Sequence, residues 1–349
     1  TLGPNTVSKL WFIENATTGG QTITIKQGSG ATVDIANNTT KVIYADGTGA
    51  GAAVVDALAL YDPEITDTLA EVLIKGNITG GTDLVITAGD DILAYGLGAV
   101  ATNTAIGKDT LGSNTTGANN VAVGYNALTA NTTATANTAL GFDSMVDTTT
   151  GQRNTALGAY SLANNTTGEF NTAMGYEALR DSISNDYTTA IGYRSQLNNI
   201  SGQGNTSLGG ESLVLNTTGA RNTAIGAYSL DANTASYNTA VGYQSLSANT
   251  TGTSNVAVGY SSMLNNTTGT RNTAMGAYSL DGTDANDNTA YGYATLSGAS
   301  GNENSAFGGS ALAGNTGSDN SAFGYASLLG NTSGSNNSAF GHSSLFSST

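Results

Sequence analysis

One phrase, Asn-Thr-Ala-φ-Gly with φ a large apolar residue, constrains this chain more than any other feature. Its glycines stand at 107, 124, 141, 158, 175, 192, 209, 226, 242, 259, 276, 292, 308, 324 and 341, fifteen copies at steps of 17 or 16 residues. A full unit reads roughly N-T-A-φ-G-Y-x-S-L-x-x-N-T-T-G-x-x. Fixed periods of this length signal a repeat architecture in which each unit packs only on its neighbours. A composition rich in Gly, with 10% charged residues, is also found in disordered chains. Here 38% of the residues are apolar and they fall at constant phase, which argues for folded coils.

Within the phrase, strand alternation places Thr and φ on one face and Ala and Gly on the other. Either Thr and φ point inward or the mirror image holds; the first is taken, with a core of Ile106, Val123, Leu140, Leu157, Met174, Ile191, Leu208, Ile225, Val241, Val258, Met275, Phe307, Phe323 and Phe340, while Tyr291 holds the same φ position. Four residues after each Gly stands Leu or Met in fourteen of fifteen units, a second apolar row. The exception is Gln196, followed at once by Leu197, which suggests a unit shifted by one residue. Asn-Thr-Thr-Gly then turns the chain, because Asn tolerates the left-handed region and Gly favours it. The expectation is an all-β, parallel β-roll of fifteen 16–17-residue coils over 101–349. At the interstrand spacing of ~4.8 Å it forms a rod roughly 70 Å long.

The preceding residues differ. Residues 1–62 read as a small β-sandwich or meander, with strands around Leu10–Ile13, Thr22–Lys26, Ala31–Ile35 and Lys41–Tyr44 and turns at Asn37-Asn38 and Asp46-Gly47. Gly51–Leu60 fits a short helix or a strand equally. Residues 63–100 read as a short β neck. The chain opens Thr1-Leu2-Gly3-Pro4, which reads as a fragment or processed form.

Composition restricts function. With no Cys there is neither a disulfide framework nor a thiolate metal site. A formal charge of −15 disfavours nucleic acid and anionic membrane surfaces. The apolar runs are too short to span a bilayer. His342, the single His, cannot build a triad or a His-rich metal site, and it takes the post-Gly position where Tyr usually stands. Asp90-Asp91 and Asp284-Ala285-Asn286-Asp287 are possible Ca²⁺ ligands, more simply read as solvated turns. The sequons at Asn114, Asn165, Asn216, Asn249 and Asn266 are better explained by a stacked Asn ladder than by glycosylation. The Thr row lacks the regular Thr-x-Thr spacing of an ice-binding array. No cofactor is expected, no metal, and no enzymatic activity.

Two side-chain patterns remain. A single thin roll buries few large side chains per coil and is marginal alone. The Tyr row after the Gly, comprising Tyr125, Tyr176, Tyr193, Tyr243, Tyr260, Tyr293 and Tyr325, has no evident place inside it, which points to a chain–chain contact. Arg153, Arg221 and Arg271 directly precede the repeat Asn, and those three units alone read Gly-Ala-Tyr-Ser-Leu, moving Tyr160, Tyr228 and Tyr278 one position on. Either each Arg stacks on its displaced Tyr, in the same or a neighbouring chain, a cation–π pair worth ~0.5–2 kcal/mol, or the pairing is inherited from one duplicated ancestor without contact.

The phrase, as in Asn120-Val121-Ala122-Val123-Gly124 and Asn337-Ser338-Ala339-Phe340-Gly341, resembles the head repeat of trimeric autotransporter adhesins. The added Asn-Thr-Thr-Gly makes the unit similar to repeats of bacteriophage tail-fibre proteins, and Phe12–Asp56 is similar to modules of marine phage fibres. The resemblance covers about 250 of the 349 residues. It implies a left-handed roll in homotrimers, a structural fibre on a virion, attachment to other tail proteins at the N-terminal side, and multivalent contact with a host-surface glycan or protein. The adhesins' heptad stalk and membrane barrel are not among the 349 residues, and the self-cleaving chaperone of some fibres is not seen after Thr349; cleavage or truncation would each account for that. Alternatives are the head of a bacterial surface adhesin and, third, an ice-binding or glycan-cleaving fibre. The candidate receptor-binding region is Gly292–Thr349, where φ turns aromatic.

Overall fold

The computed structural model describes residues 9–16, 18–26, 32–45, 54–56, 102–282 and 284–346. The chain divides into two units, Thr1–Asp91 and Ile92–Thr349. All regular structure among the described residues is β, with no helix.

In the first unit, β1 (Lys9–Asn15), β4 (Thr39–Ala45) and β5 (Val54–Asp56) form an antiparallel sheet in the order β1-β4-β5, and β2 (Ile23–Lys26) pairs with β3 (Thr32–Ile35). Gly51–Leu60 thus contributes a strand. Period-2 alternation directs Ile23 and Ile25 of β2, Val33 and Ile35 of β3, Ile13 and Ile43 into one core between the two sheets. The chain reverses at Asn38, which takes the left-handed conformation that Asn permits, and its N–H donates to the Asn15 carbonyl at 2.7 Å. Asn15, buried, donates its amide to the carbonyls of Gln21 and Ile35. The expected neck, 63–100, lies outside the described residues.

The second unit is a β-solenoid. Fifteen three-residue strands, from β6 (Thr104–Ile106) to β20 (Ser338–Phe340), form one parallel sheet in strict chain order. The register is one coil per rung, so Thr155, Ala156 and Leu157 lie beside Thr172, Ala173 and Met174. In the coil from Asn154 to Phe170, Thr155–Leu157 is the strand. Gly158 follows at φ 133°, and Tyr160 and Leu162 take left-handed conformations at φ 57° and 52°. Such values are rare for bulky residues. Each is held by a bond to an adjacent coil, Tyr160 N–H to the Phe142 carbonyl and Leu162 N–H to the Ala178 carbonyl, both at 2.9 Å. Gly158 is obligatory for a different reason: a Cβ there would stand 2.6 Å from the Gly175 carbonyl oxygen, so the coils could not stack.

The inward face is the reverse of the sequence expectation. Between the two end coils, where Ala105 is half-buried and Leu345 exposed, the Ala of the strand is buried, and so is the Leu or Met four residues after the Gly, as in Ala156 with Leu162 and Ala173 with Leu179. The φ side chains expected in the core, Ile106, Val123, Leu140, Leu157, Met174, Ile191, Leu208, Ile225, Val241, Val258, Met275, Phe307, Phe323 and Phe340, together with Tyr291, point away from it and are half-buried or exposed. The reason is width. A coil this small encloses one large side chain, supplied by the Leu row, and the facing strand must present a methyl group.

Asn fills the corners. Asn154 accepts the Asn171 N–H on its Oδ1 at 2.9 Å, donates its Nδ2 to the Gly168 carbonyl at 2.8 Å, and gives its own N–H to Asn137 Oδ1 at 2.9 Å. The N–H to Oδ1 link recurs from Asn103 to Asn337 wherever the accepting position holds Asn. A second Asn row, including Asn114, Asn165, Asn216, Asn249 and Asn266, closes the Asn-Thr-Thr-Gly turn, as when Asn216 Nδ2 donates to the Gly219 carbonyl at 2.9 Å. These sequon side chains are buried and closed to a modifying enzyme.

Gln196 does not shift its unit. It holds the inward left-handed position at φ 51° and is fully buried. Its Nε2 donates to the Thr189 carbonyl at 2.9 Å and to Ser207 Oγ at 2.8 Å, and its Oε1 accepts from Asn199 Nδ2 at 3.0 Å. Ser207 is the one Ser in the Ala column, one coil on. Ser207 also bonds Ser195, which reaches Ser212 at 3.1 Å. The buried apolar side chains accordingly form two clusters, from Leu111 to Ala190 and from Leu213 to Ala339, parted by this polar pair.

Two outcomes follow for stability. Asn154→Ala orphans the buried Asn171 N–H and removes one of two donors to the Gly168 carbonyl. The coil should lose roughly 1–3 kcal/mol, read as faster amide exchange around Asn171. Ser207→Ala alone should destabilise, while Ser207→Ala with Gln196→Leu restores the common Ala/Leu pair and should be at least as stable as the natural chain. The coupling of about 0.5–3 kcal/mol is measurable in a thermal-unfolding double-mutant cycle.

Candidate functional site

The outward strand face, with the residues flanking it, is the surface on which the roll can recognise anything. Because the register is one coil per rung, residues 16 or 17 apart form columns along the rod, and columns decide which side chains meet.

The φ column runs through all fifteen strands. Toward the C-terminal end Tyr291, Phe307, Phe323 and Phe340 stack with near-parallel rings at centroid distances of 4.8–5.1 Å. Offset stacking of this kind contributes ~0.5–1.5 kcal/mol per pair beyond the area buried.

The column after the Gly is aromatic too. Tyr125 stacks on Phe142, Tyr176 on Tyr193, Tyr243 on Tyr260, and Tyr325 on His342, so the lone His serves as a ring in a stack. The seven Tyr of the expected chain–chain row, Tyr125, Tyr176, Tyr193, Tyr243, Tyr260, Tyr293 and Tyr325, are all exposed in the single chain. Tyr160, Tyr228 and Tyr278 join this same column. Where the position after Gly holds Ala, the Tyr one residue later swings in edge-on, as Tyr160 does against Phe142 (5.3 Å, 69°) and Tyr176 (6.0 Å, 85°).

That placement corrects the proposed cation–π pairs. Arg153, Arg221 and Arg271 stand in another column, just before the buried Asn, and each meets the residue one coil on. The Arg153 guanidinium lies 5.2 Å from the Phe170 ring centroid and that of Arg221 5.6 Å from Tyr237, with Arg221 Nη1 donating to the Tyr237 hydroxyl at 3.0 Å. Arg271 pairs with Asp287 through Nε at 2.7 Å. Within the chain, Arg153–Tyr160, Arg221–Tyr228 and Arg271–Tyr278 are therefore replaced by column partners. Neighbours one rung apart are ~4.8 Å away, whereas seven residues of chain must turn the corner of the coil. The Phe170–Tyr187 stack in this column, at 4.9 Å and 3°, lies outside the repeat phrase; alignment of residues at the repeat spacing discloses it.

One charged cluster stands out. Glu177, buried, accepts from Arg194 Nε at 2.7 Å and from Arg180 Nη1 at 2.9 Å, and Arg180 Nε also reaches Asp181 at 2.9 Å. Burial pushes the Glu177 carboxyl up, but hydrogen bonds and charge from Arg194 and Arg180 outweigh it and hold the pKa below its ordinary 4.5. The hydrogen bond to Asp181 leads in raising Arg180. A carboxylate held ionised in this way braces two coils and is a poor proton donor. The acidic run at 284–287 is spent on the neighbouring coil: Asp284 Oδ1 accepts the N–H groups of Thr267 and Thr268, both at 2.7 Å, Asn286 Oδ1 that of Thr270 at 2.9 Å, and Asp287 pairs with Arg271. Asp90-Asp91 lies outside the described residues.

Comparison of the chain with protein-family models, with curated proteins and with solved structures finds no match.

The Glu177 cluster predicts a pH dependence. A carboxyl whose folded pKa is depressed adds stability above its ordinary value and loses it as pH falls through the folded pKa. Glu177→Gln should therefore be less stable than the natural chain at pH 7. The gap should close as pH drops below about 4.5, as followed by thermal unfolding across a pH series.

Proposed function

We propose that this chain is a segment of a structural, adhesive fibre in which three copies associate along their rolls, with a phage tail fibre as the reading that fits best. The observation that carries it is the outward φ column: fifteen large apolar side chains in one line, half-buried or exposed in the single chain, beside a second line of exposed Tyr. A core of one Leu and one Ala per coil buries little area for so long a chain. A continuous apolar stripe is the kind of surface that subunit contacts cover. Closing three stripes on a shared axis supplies the missing core and accounts for both rows. The roll itself then acts mechanically. It holds a distal end away from its mount, and three parallel chains add avidity to weak contacts with a host-surface glycan or protein. Other tail proteins would hold the N-terminal side. The reading assigns no reaction, cofactor, nucleic acid or membrane insertion, and places the fibre outside the cell on the virion.

Sedimentation equilibrium on the chain should give three times its 34.9 kDa mass. Electron micrographs should show rods, with the roll accounting for roughly 70 Å of their length. Leu157→Asp with Ile191→Asp, both outside the chain's own core, should shift the mass toward one chain while strand content persists. A natural chain that stays monomeric at micromolar concentration sinks the trimer; antibody labelling that finds no chain on virions sinks the phage assignment.

A further inference from the structure

The column before the buried Asn has a missing rung. Arg153, Phe170 and Tyr187 occupy three successive rungs, Gly204 the next, and Arg221 and Tyr237 the two after it. Phe170 and Tyr187 cover each other, and Arg153 covers the other face of Phe170. That leaves the face of Tyr187 toward Gly204 open; the face of Tyr237 toward Ser254 is open too, but the Arg271 beyond it is already paired with Asp287. The exposures agree: Tyr187 is 66% exposed and Phe170 39%.

The vacancy belongs to the side chain alone. Gly204 has φ 66°, in line with 57° at Phe170, 55° at Tyr187 and 57° at Arg221, and its N–H bonds the Asp186 carbonyl at 3.0 Å. A Cβ placed on it would meet nothing nearer than Arg221 Cγ at 3.7 Å. Tyr187 and Arg221 are two rungs, hence ~9.6 Å, apart along the rod. One ring laid between them would keep ordinary contact distances of about 3.5–4 Å to its neighbours.

Charge selects the ring. Arg180, Arg194 and Arg271 are each neutralised by carboxylates. Arg153 and Arg221 lie over aromatic rings, and among the described residues neither has a carboxylate within ion-pairing distance. In a chain of formal charge −15, the slot thus has an aromatic wall on one side and an uncompensated guanidinium on the other, steadied by the Tyr237 hydroxyl.

We propose that the Gly204 slot binds one pyranose ring of an acidic polysaccharide, a uronic acid residue. Its apolar C–H face would lie on Tyr187, whose negative ring face attracts such hydrogens, and its carboxylate would take the charge-assisted donors of Arg221. A neutral sugar leaves the guanidinium unused, and an acyclic acid leaves the ring face wet. The choice of a polysaccharide over a free sugar acid rests on the adhesive reading above, in which weak single-ring contacts repeated on each chain add up.

Calorimetric titration of the full chain with oligogalacturonate, with oligomannuronate and with neutral maltotetraose tests the site. Saturable binding of a uronate oligomer and none of the neutral one is expected. Tyr187→Ala should weaken binding roughly tenfold, about the stacking contribution of one ring, and Arg221→Gln should remove the preference for acid. Gly204→Tyr, whose backbone conformation the column accepts elsewhere, should complete the stack and abolish binding with unchanged thermal stability. If that variant fails to fold, Tyr187→Ala and Arg221→Gln decide. No binding of either uronate, equal binding of maltotetraose, or full binding by a folded Gly204→Tyr variant overturns the slot. Sedimentation of the same samples separates the two readings: a single-chain mass with uronate binding removes the trimer and keeps the slot, and a three-chain mass without binding removes the slot alone.

Discussion

The buried asparagine at the start of each strand is the interaction on which the roll depends. Its amide both donates and accepts, so one side chain closes its own coil through a carbonyl and receives the backbone N–H of the next. The amide does so from two separate atoms: a hydroxyl offers only one atom for both tasks, a carboxylate cannot donate, and an aliphatic residue of similar size can do neither. Without it each coil would bury an unpaired N–H at its corner, and such groups cost roughly 1–3 kcal/mol apiece. Thr188, in that position, still donates its N–H to Asn171 at 3.0 Å but turns its hydroxyl to the Asp186 carbonyl.

Everything else in the coil follows from stacking. Left-handed conformations at Tyr160, Leu162 and Phe170 are unfavourable for an isolated chain, and each N–H donates to a carbonyl of an adjacent coil. The strand is only three residues long, so most of the coil is turn, and turns of this kind persist because each copies the one beside it. The interior holds one Leu and one Ala per coil. Large apolar and aromatic side chains are left for the outside, where they line up in columns and acquire properties no single residue has.

Much of this was legible. The period located every strand, from Thr104–Ile106 to Ser338–Phe340, and the turn residues placed the reversal at Asn38. Alternation divided each strand into two faces but could not say which was inside. Ranking by size put Leu157 inward, whereas the interior is too narrow for two large side chains facing each other and admits Ala156 opposite Leu162. The Arg pairs failed for a related reason. Arg153 is seven residues from Tyr160 yet touches Phe170, seventeen away, since in a solenoid the repeat length is the shorter path. Gln196 looked like an insertion because the sequence shows one residue at a time, while its partner Ser207 lies in the next coil.

That partnership has a consequence for assembly. Near-identical coils invite error: a chain pairing with itself, or with another copy, could slide by a whole unit and meet almost the same surface, with only a small difference in energy to reject the mistake. Gln196 and Ser207 remove this ambiguity. A polar group in the middle of the rod is satisfied only by the single neighbour that matches it, so the pair acts as an address in an otherwise repeating text. The flanking glycines at 204 and 210 fall in the same stretch, where the outer columns are also interrupted. A rod built from copies thus carries one unrepeatable position, from which every other coil can be counted.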